Sequence, residues 1–126
     1  MEVINVQEAP EAIGPYCQAM KTGNLIFCSG QVAFDPATMK LVGTTIEEQT
    51  NRVLTNISIV LGGVGLSLNN IVKTTVFLKN MSDFQGMNKV YEEMFDGHKP
   101  SRSTIAVKQL PLDALVEIEC IVECQS

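Results

Sequence analysis

Arg102 and the carboxylates Glu117 and Glu119 are the residues whose types and spacing offer chemistry. Arg102 is one of only two arginines, and it follows Pro100-Ser101 at the start of an extended stretch. Its guanidinium is always charged and presents a flat fork that matches a carboxylate through two parallel hydrogen bonds. A surface ion pair is the ordinary alternative, and for Arg52, in a helical pattern, it suffices. Glu117 and Glu119 interrupt the run Leu115-Val116-Glu117-Ile118-Glu119-Cys120-Ile121-Val122. With a period of two they share a face with Leu115 and Ile121, while Val116, Ile118, Cys120 and Val122 line the other. Such a pair is either a solvated strand face or includes a general base whose pKa is raised by partial burial. The pattern alone does not choose.

Two further segments present polar groups on rigid backbone. Ile13-Gly14-Pro15-Tyr16 is a stiff turn carrying an aromatic hydroxyl, and Ser29-Gly30-Gln31 places glycine where a strand needs a bulge or a close backbone approach. Ser29 has no His-Asp relay, because His98 is the sole histidine, and nothing places a cysteine beside His98 for a Cys-His dyad. The four cysteines, Cys17, Cys28, Cys120 and Cys124, contain no C-x-x-C pair, so no metal site is expected. Without an export signal they read as free thiols acting as small buried hydrophobes. No P-loop and no G-x-G-x-x-G occurs.

Charge and hydropathy exclude other classes. Nine Lys and Arg face fourteen Asp and Glu, a net charge of −5, which is the wrong sign for a broad nucleic-acid surface. Glu2 follows Met1 and the first basic residue is Lys21, so neither a secretory signal nor an Arg-rich transit peptide is expected, and a cytoplasmic location is. The stretch Val53 to Val72 is uncharged, yet Thr55, Asn56, Ser58, Ser67, Asn69 and Asn70 make it too polar to span a bilayer. No membrane partner is expected.

The elements that must position these residues follow from periodicity. A chain of 126 residues fits one domain, 1–126. Gly23-Asn24 reads as a two-residue hairpin turn between Cys17–Lys21 and Leu25–Cys28, and Asp35-Pro36 opens a turn towards Gly43. From Thr45 the period becomes 3.6, with Ile46, Val53, Leu54, Ile57, Val60, Leu61 and Val64 on one helical face. Thr45 and Glu48 form a capping box, and Gly62, Gly63 and Gly65 end the helix. Ile71–Leu78 reads as a buried strand. A second helix starts at Ser82, with Phe84, Met87, Val90, Tyr91, Met94 and Phe95 on one stripe, and ends at Gly97 and Pro100. Strands Arg102–Val107 and Ala114–Val122 follow, joined by a turn around Pro111. The ββ-α-β-α-ββ order predicts an α+β domain, a mixed sheet with two helices on one face. The open face then calls for apolar cover, which a symmetric oligomer supplies most simply.

Taken in order, Ala12-Ile13-Gly14-Pro15-Tyr16, Ser29-Gly30-Gln31, Val72-Lys73-Thr74-Thr75-Val76-Phe77, Asn88-x-x-Tyr91, Pro100-Ser101-Arg102-Ser103-Thr104 and Val116-Glu117-Ile118-Glu119 form a set. From near residue 9 to near residue 122 the chain resembles the YjgF/RidA family of reactive-intermediate deaminases, also called endoribonuclease L-PSP. The resemblance implies a chorismate-mutase-like α+β fold assembled as a homotrimer, with sites between subunits. It implies hydrolysis of 2-imino acids (2-iminobutanoate and 2-iminopropanoate, released by pyridoxal-phosphate-dependent dehydratases) to 2-oxo acids and ammonia, with no metal and no cofactor. It assigns the substrate-carboxylate arginine to Arg102 and the water-positioning glutamate to Glu117. Tyr16, Ser29, Gly30 and Asn88 match positions that shape the pocket and bind substrate.

The sequence also departs from the family pattern. Cys17 and Cys28 stand where relatives often carry Ser or Val-like residues, and Met39 replaces a usual glycine. Gly62 and Gly63 replace helix formers, so fraying of the first helix's end is expected. Two other functions fit the resemblance: an endoribonuclease or translation inhibitor, and a non-catalytic small-carboxylate-binding or chaperone trimer. The acidic composition and single histidine count against the first. Arg102 together with Glu117 favours catalysis over the second.

Overall fold

Alternating apolar residues build a sheet, and stripes at helical spacing build the layer that covers it. The computed structural model describes residues 1–124. Strands β1 (Glu2–Ile4), β2 (Ala19–Thr22) and β3 (Leu25–Gln31) are followed by helix α1 (Ile46–Gly62), strand β4 (Ile71–Leu78) and helix α2 (Phe84–Phe95). Strands β5 (Ser101–Ala106) and β6 (Val116–Glu123) complete the chain. The strands form one six-stranded sheet in the order β1-β2-β3-β6-β4-β5. Among the described residues only β4 and β5 pair in parallel; every other neighbouring pair is antiparallel. This is the expected α+β architecture, a mixed sheet with two helices packed on one face.

Local chemistry explains most boundaries. Gly23, at φ 58°, supplies the positive φ that lets Thr22 and Leu25 pair across the hairpin. Thr45 Oγ1 accepts from Glu48 N at 3.1 Å, and the Glu48 carboxylate accepts from Thr45 N at 3.1 Å, completing the capping box. The backbone N–H of Thr44, which also donates to this carboxylate, and then that of Thr45 hold the Glu48 carboxyl below its ordinary pKa. Ile46, Val53, Leu54, Ile57, Val60 and Leu61 are buried against the sheet residues Ile26, Val76, Ile118 and Val122. Each such side chain contributes about 1.5–3 kcal/mol of burial. Among the described residues no helix is long and apolar enough to cross a membrane.

Several expectations need correction. Gly62 and Gly63 do not fray α1. Gly63 keeps helical φ (−65°) and its N–H reaches Ile59 O at 3.1 Å. A Cβ there would strike the Val6 side chain, so glycine is needed for space. Gly62 is the last helical residue, and the turn from Gly63 to Gly65, where φ reaches 77°, leaves Val64 outside the stripe and exposed. The second helix begins at Phe84 after a 3₁₀ turn over Met81–Asp83, and Asp96 ends it in the left-handed region. Strand β1 was not anticipated, because three residues carry no readable period and owe their extended form to pairing with β2. The last two strands, read as Arg102–Val107 and Ala114–Val122, run over Ser101–Ala106 and Val116–Glu123, and the turn around Pro111 does not make them neighbours. Instead β6 passes to the sheet interior between β3 and β4.

Cys28 and Cys120 are buried register partners on β3 and β6, while Cys17 and Cys124 are half-buried; all four are free thiols. The hydrogen bond with Cys28, and then burial, push the Cys120 thiol above its ordinary pKa. The sheet face away from the helices carries exposed apolar side chains, including Phe27 at 43% and Ile105 at 47%.

Candidate functional site

The register of β3 against β6 shifts between Cys28 and Gln31, so the bulge falls at Ser29-Gly30. Its consequence is a close approach. A Cβ on Gly30 would collide with the Glu117 carboxylate, so glycine makes room for that side chain. Ser29 Oγ donates to Cys17 O at 2.7 Å, which ties the bulge to the segment carrying Tyr16. Tyr16, Ser29, Gly30 and Glu117 thus line one cavity of about 110 Å³. The buried Gln18 holds its floor: its Oε1 accepts from Val6 N at 2.6 Å and its Nε2 donates to Pro10 O at 2.9 Å. Pro111 lines the rim, on a loop where Leu112 and Asp113 take positive φ (54° and 57°) without being glycine.

Glu117 is half-buried here, and loss of hydration raises its carboxyl pKa, with the Glu119 charge adding a smaller push. The two glutamates are therefore inequivalent. Glu119, two residues along the same face, is exposed. Of the alternatives for this pair, partial burial with a raised pKa describes Glu117, and a solvated strand residue describes Glu119.

Arg102 sits elsewhere. It opens the edge strand β5, in register with Thr74 of β4, which in turn pairs with Cys120 of β6. Those residues point to the helices, whereas Glu117 pairs with Phe77, itself paired with Ile105, on the opposite face. Arg102 Nη1 donates to Asn88 Oδ1 at 2.7 Å. Its Cζ lies 4.8 Å from the Tyr91 ring centroid and 5.4 Å from that of Phe84. Among the described residues no carboxylate pairs with it, and the one ion pair joins Lys79 to Asp113. A fully charged fork held by a neutral amide and two aromatic faces leaves donors for an anion. Asn88, Tyr91 and Arg102 line a cavity of about 440 Å³.

Within one chain the residues singled out by sequence therefore divide into two groups. Tyr16, Ser29, Gly30 and Glu117 come together on one side of the sheet, and Asn88 with Arg102 on the other. Gln18, Phe84 and Pro111 were not anticipated as contributors. The helical stripe named Phe84 only as core, and nothing local marks Gln18. Among the described residues no cluster of His, Cys, Asp or Glu is arranged to hold a metal ion. His98 Nε2 lies 2.7 Å from Ile71 O, so that nitrogen carries its proton and donates to the backbone.

Comparison with known proteins adds the following. The family model described as Endoribonuclease L-PSP matches residues 6–124. The chloroplastic Reactive Intermediate Deaminase A of Arabidopsis thaliana is 43% identical over 120 residues, 95% of this chain and 64% of that protein. A solved structure from Thermotoga maritima is 46% identical, covers 100% of this chain and 99% of its own, and superposes with a TM-score of 0.95. The structure of E. coli TdcF with bound serine is 37% identical, covers 99% of this chain and 100% of its own, and has a TM-score of 0.93.

Proposed function

The chain belongs to the YjgF/RidA family, the one described by the endoribonuclease L-PSP model, and from that premise we propose that it hydrolyses small 2-imino acids to 2-oxo acids and ammonia. The observation that carries this reading is Arg102, a fixed guanidinium with no carboxylate partner among the described residues. Its free donors suit the carboxylate of a small imino acid, and that grip fixes the position of C2. A relative solved with bound serine, itself a small amino carboxylate, supports this substrate class.

A protonated imine is already electrophilic, so the protein has to orient a water and move its protons. Glu117 takes a proton from the water as its oxygen bonds to C2, giving a carbinolamine. Glu117 returns that proton to the nitrogen, the carbon–nitrogen bond breaks as the carbonyl of the 2-oxo acid forms, and the departing ammonia takes the hydroxyl proton to become ammonium. Tyr16 and Ser29 flank that water. In one chain Glu117 and Arg102 face opposite sides of the sheet, so a complete site takes Arg102 and Asn88 from one subunit and Glu117, Tyr16, Ser29 and Gly30 from another. The proposed assembly is a homotrimer whose interfaces cover Phe27 and Ile105. Such a protein works in the cytoplasm, beside the dehydratases that release imines.

The test is complementation. Generate 2-aminoacrylate with a dehydratase, follow its decay, and compare each single variant with co-expressed, randomly mixed Arg102→Ala and Glu117→Gln subunits. Mixed trimers should recover about one-quarter of wild-type activity, because that share of interfaces receives both intact residues. Recovery no greater than the sum of the inactive variants rejects the shared site. A wild-type protein that leaves imine decay unchanged rejects the reaction. A nuclease reading gains nothing from His98, which is engaged with backbone.

A further inference from the structure

Phe84, Asn88 and Tyr91 lie four and then three residues apart, so they form a single stripe on α2. All three meet Arg102: two through ring faces and one through a hydrogen bond. Tyr91 is also fixed from behind. Its hydroxyl shares a 2.7 Å hydrogen bond with Thr74 Oγ1, which is buried, and Thr74 is the register partner of Arg102 on the neighbouring strand. The loop is closed. Arg102 and Thr74 leave adjacent strands side by side, and Tyr91 bridges them from the helix above. Phe95 packs against Tyr91 with ring centroids 4.5 Å apart and the planes tilted by 37°, which further restrains the ring.

We propose that Tyr91, locked by Thr74, is a positioning residue that presents the Arg102 guanidinium to the substrate carboxylate, with Phe84 as the second wall of the holder. The inference rests on the anion-binding role assigned to Arg102 above. An arginine side chain has several rotatable bonds, and on an edge strand it loses little by swinging into water. Asn88 takes only one guanidinium nitrogen, which leaves rotation about that bond open. An aromatic face against the guanidinium plane removes this freedom and adds a cation–π attraction. The Tyr91 hydroxyl does no acid–base work in this scheme: burial, the largest influence on it, raises its pKa, so it stays protonated at neutral pH.

The experiment measures binding of pyruvate or 2-oxobutanoate by calorimetry, kcat and KM for imine hydrolysis, and thermal stability. The proteins compared are wild type, Arg102→Ala, Tyr91→Leu, Tyr91→Phe and a form with polyfluorinated phenylalanine at position 91. Fluorination drains charge from the ring face with little change of shape. We expect Tyr91→Leu to weaken binding and raise KM about tenfold with a smaller change in kcat, and Tyr91→Phe to cost about threefold or less. The fluorinated ring should weaken binding severalfold beyond Tyr91→Phe at an unchanged melting temperature. A purely structural tyrosine would leave that last comparison flat. Equal affinity of the phenylalanine and fluorophenylalanine proteins therefore overturns the cation–π holder, even if Tyr91→Leu fails to fold. If Arg102→Ala binds pyruvate like wild type, the failure lies in the anion-binding reading itself.

Discussion

Arg102 and Glu117 occupy opposite faces of one sheet, and their surroundings condition them in opposite ways. Arg102 is held by contacts: an amide oxygen at 2.7 Å and two aromatic faces, on an edge strand with solvent beside it. Glu117 is conditioned by clearance and burial: a bulge and a glycine leave room for its carboxylate in a cavity of about 110 Å³. The first arrangement keeps a charge and directs it. The second makes a charge less favourable and so turns a carboxylate into a better base. A binding group needs its charge intact; a proton carrier needs its pKa shifted.

The sharpest way to break this contrast is to remove the arginine. Arg102→Ala should lower both 2-oxo acid affinity and kcat/KM by roughly 10²- to 10⁴-fold, the scale of two charged hydrogen bonds at about 1.5–3 kcal/mol each. Arg102→Lys should stay poor, since an ammonium cannot reproduce the two-pronged geometry. Calorimetry with pyruvate and the imine-decay assay read both effects. Undiminished binding in either variant would remove Arg102 from its role.

Glu117→Gln should separate the two regions. Turnover should fall roughly 10²-fold or more while 2-oxo acid binding stays within a few fold of wild type. The acid limb of wild-type kcat/KM should lie above the ordinary carboxylate range and be lost in the variant. Stability carries an independent sign. The folded pKa is raised, so the stabilising contribution of protonated Glu117 is fully present below its unfolded pKa and lost as pH rises through the folded value. Glu117→Gln should therefore melt higher than wild type near neutrality, with the gap closing in acid.

Gly30→Ala tests the clearance. A Cβ there meets the Glu117 carboxylate, so turnover should drop about tenfold and stability by about 1–3 kcal/mol, with little change in pyruvate affinity. Glu119→Gln should do least: rates within about twofold of wild type, as for a solvated strand residue. Equal rates for the Glu119→Gln and Glu117→Gln proteins would abolish the distinction between the two glutamates.

Much of this was legible in the residues. The capping box at Thr45 and Glu48, the Gly23-Asn24 hairpin, the Ile71–Leu78 strand and the bulge at Ser29-Gly30 each depend on local backbone chemistry, and each is found where that chemistry puts it. Strand β1 was hidden because three residues carry no period, and the turn around Pro111 concealed the passage of β6 to the sheet interior. For the same reason the spacing that put Glu117 and Glu119 on one face could not say which was buried. Depth depends on what other segments bring alongside.

The sequence by itself determined the types of chemistry available: one arginine at a strand start, a strand carrying Glu117 and Glu119, and no nucleophile relay or metal-ligand spacing. Periodicity and caps, acting over a few residues, also determined most elements. Only the tertiary structure decided where those groups stand. Inserting β6 between β3 and β4 brings Gly30 against Glu117, and packing α2 over β4 and β5 sets Tyr91 and Phe84 against Arg102. Both juxtapositions join residues distant in the chain. They arise because burying the apolar stripes admits few packings, and the polar residues are carried to wherever those packings leave them.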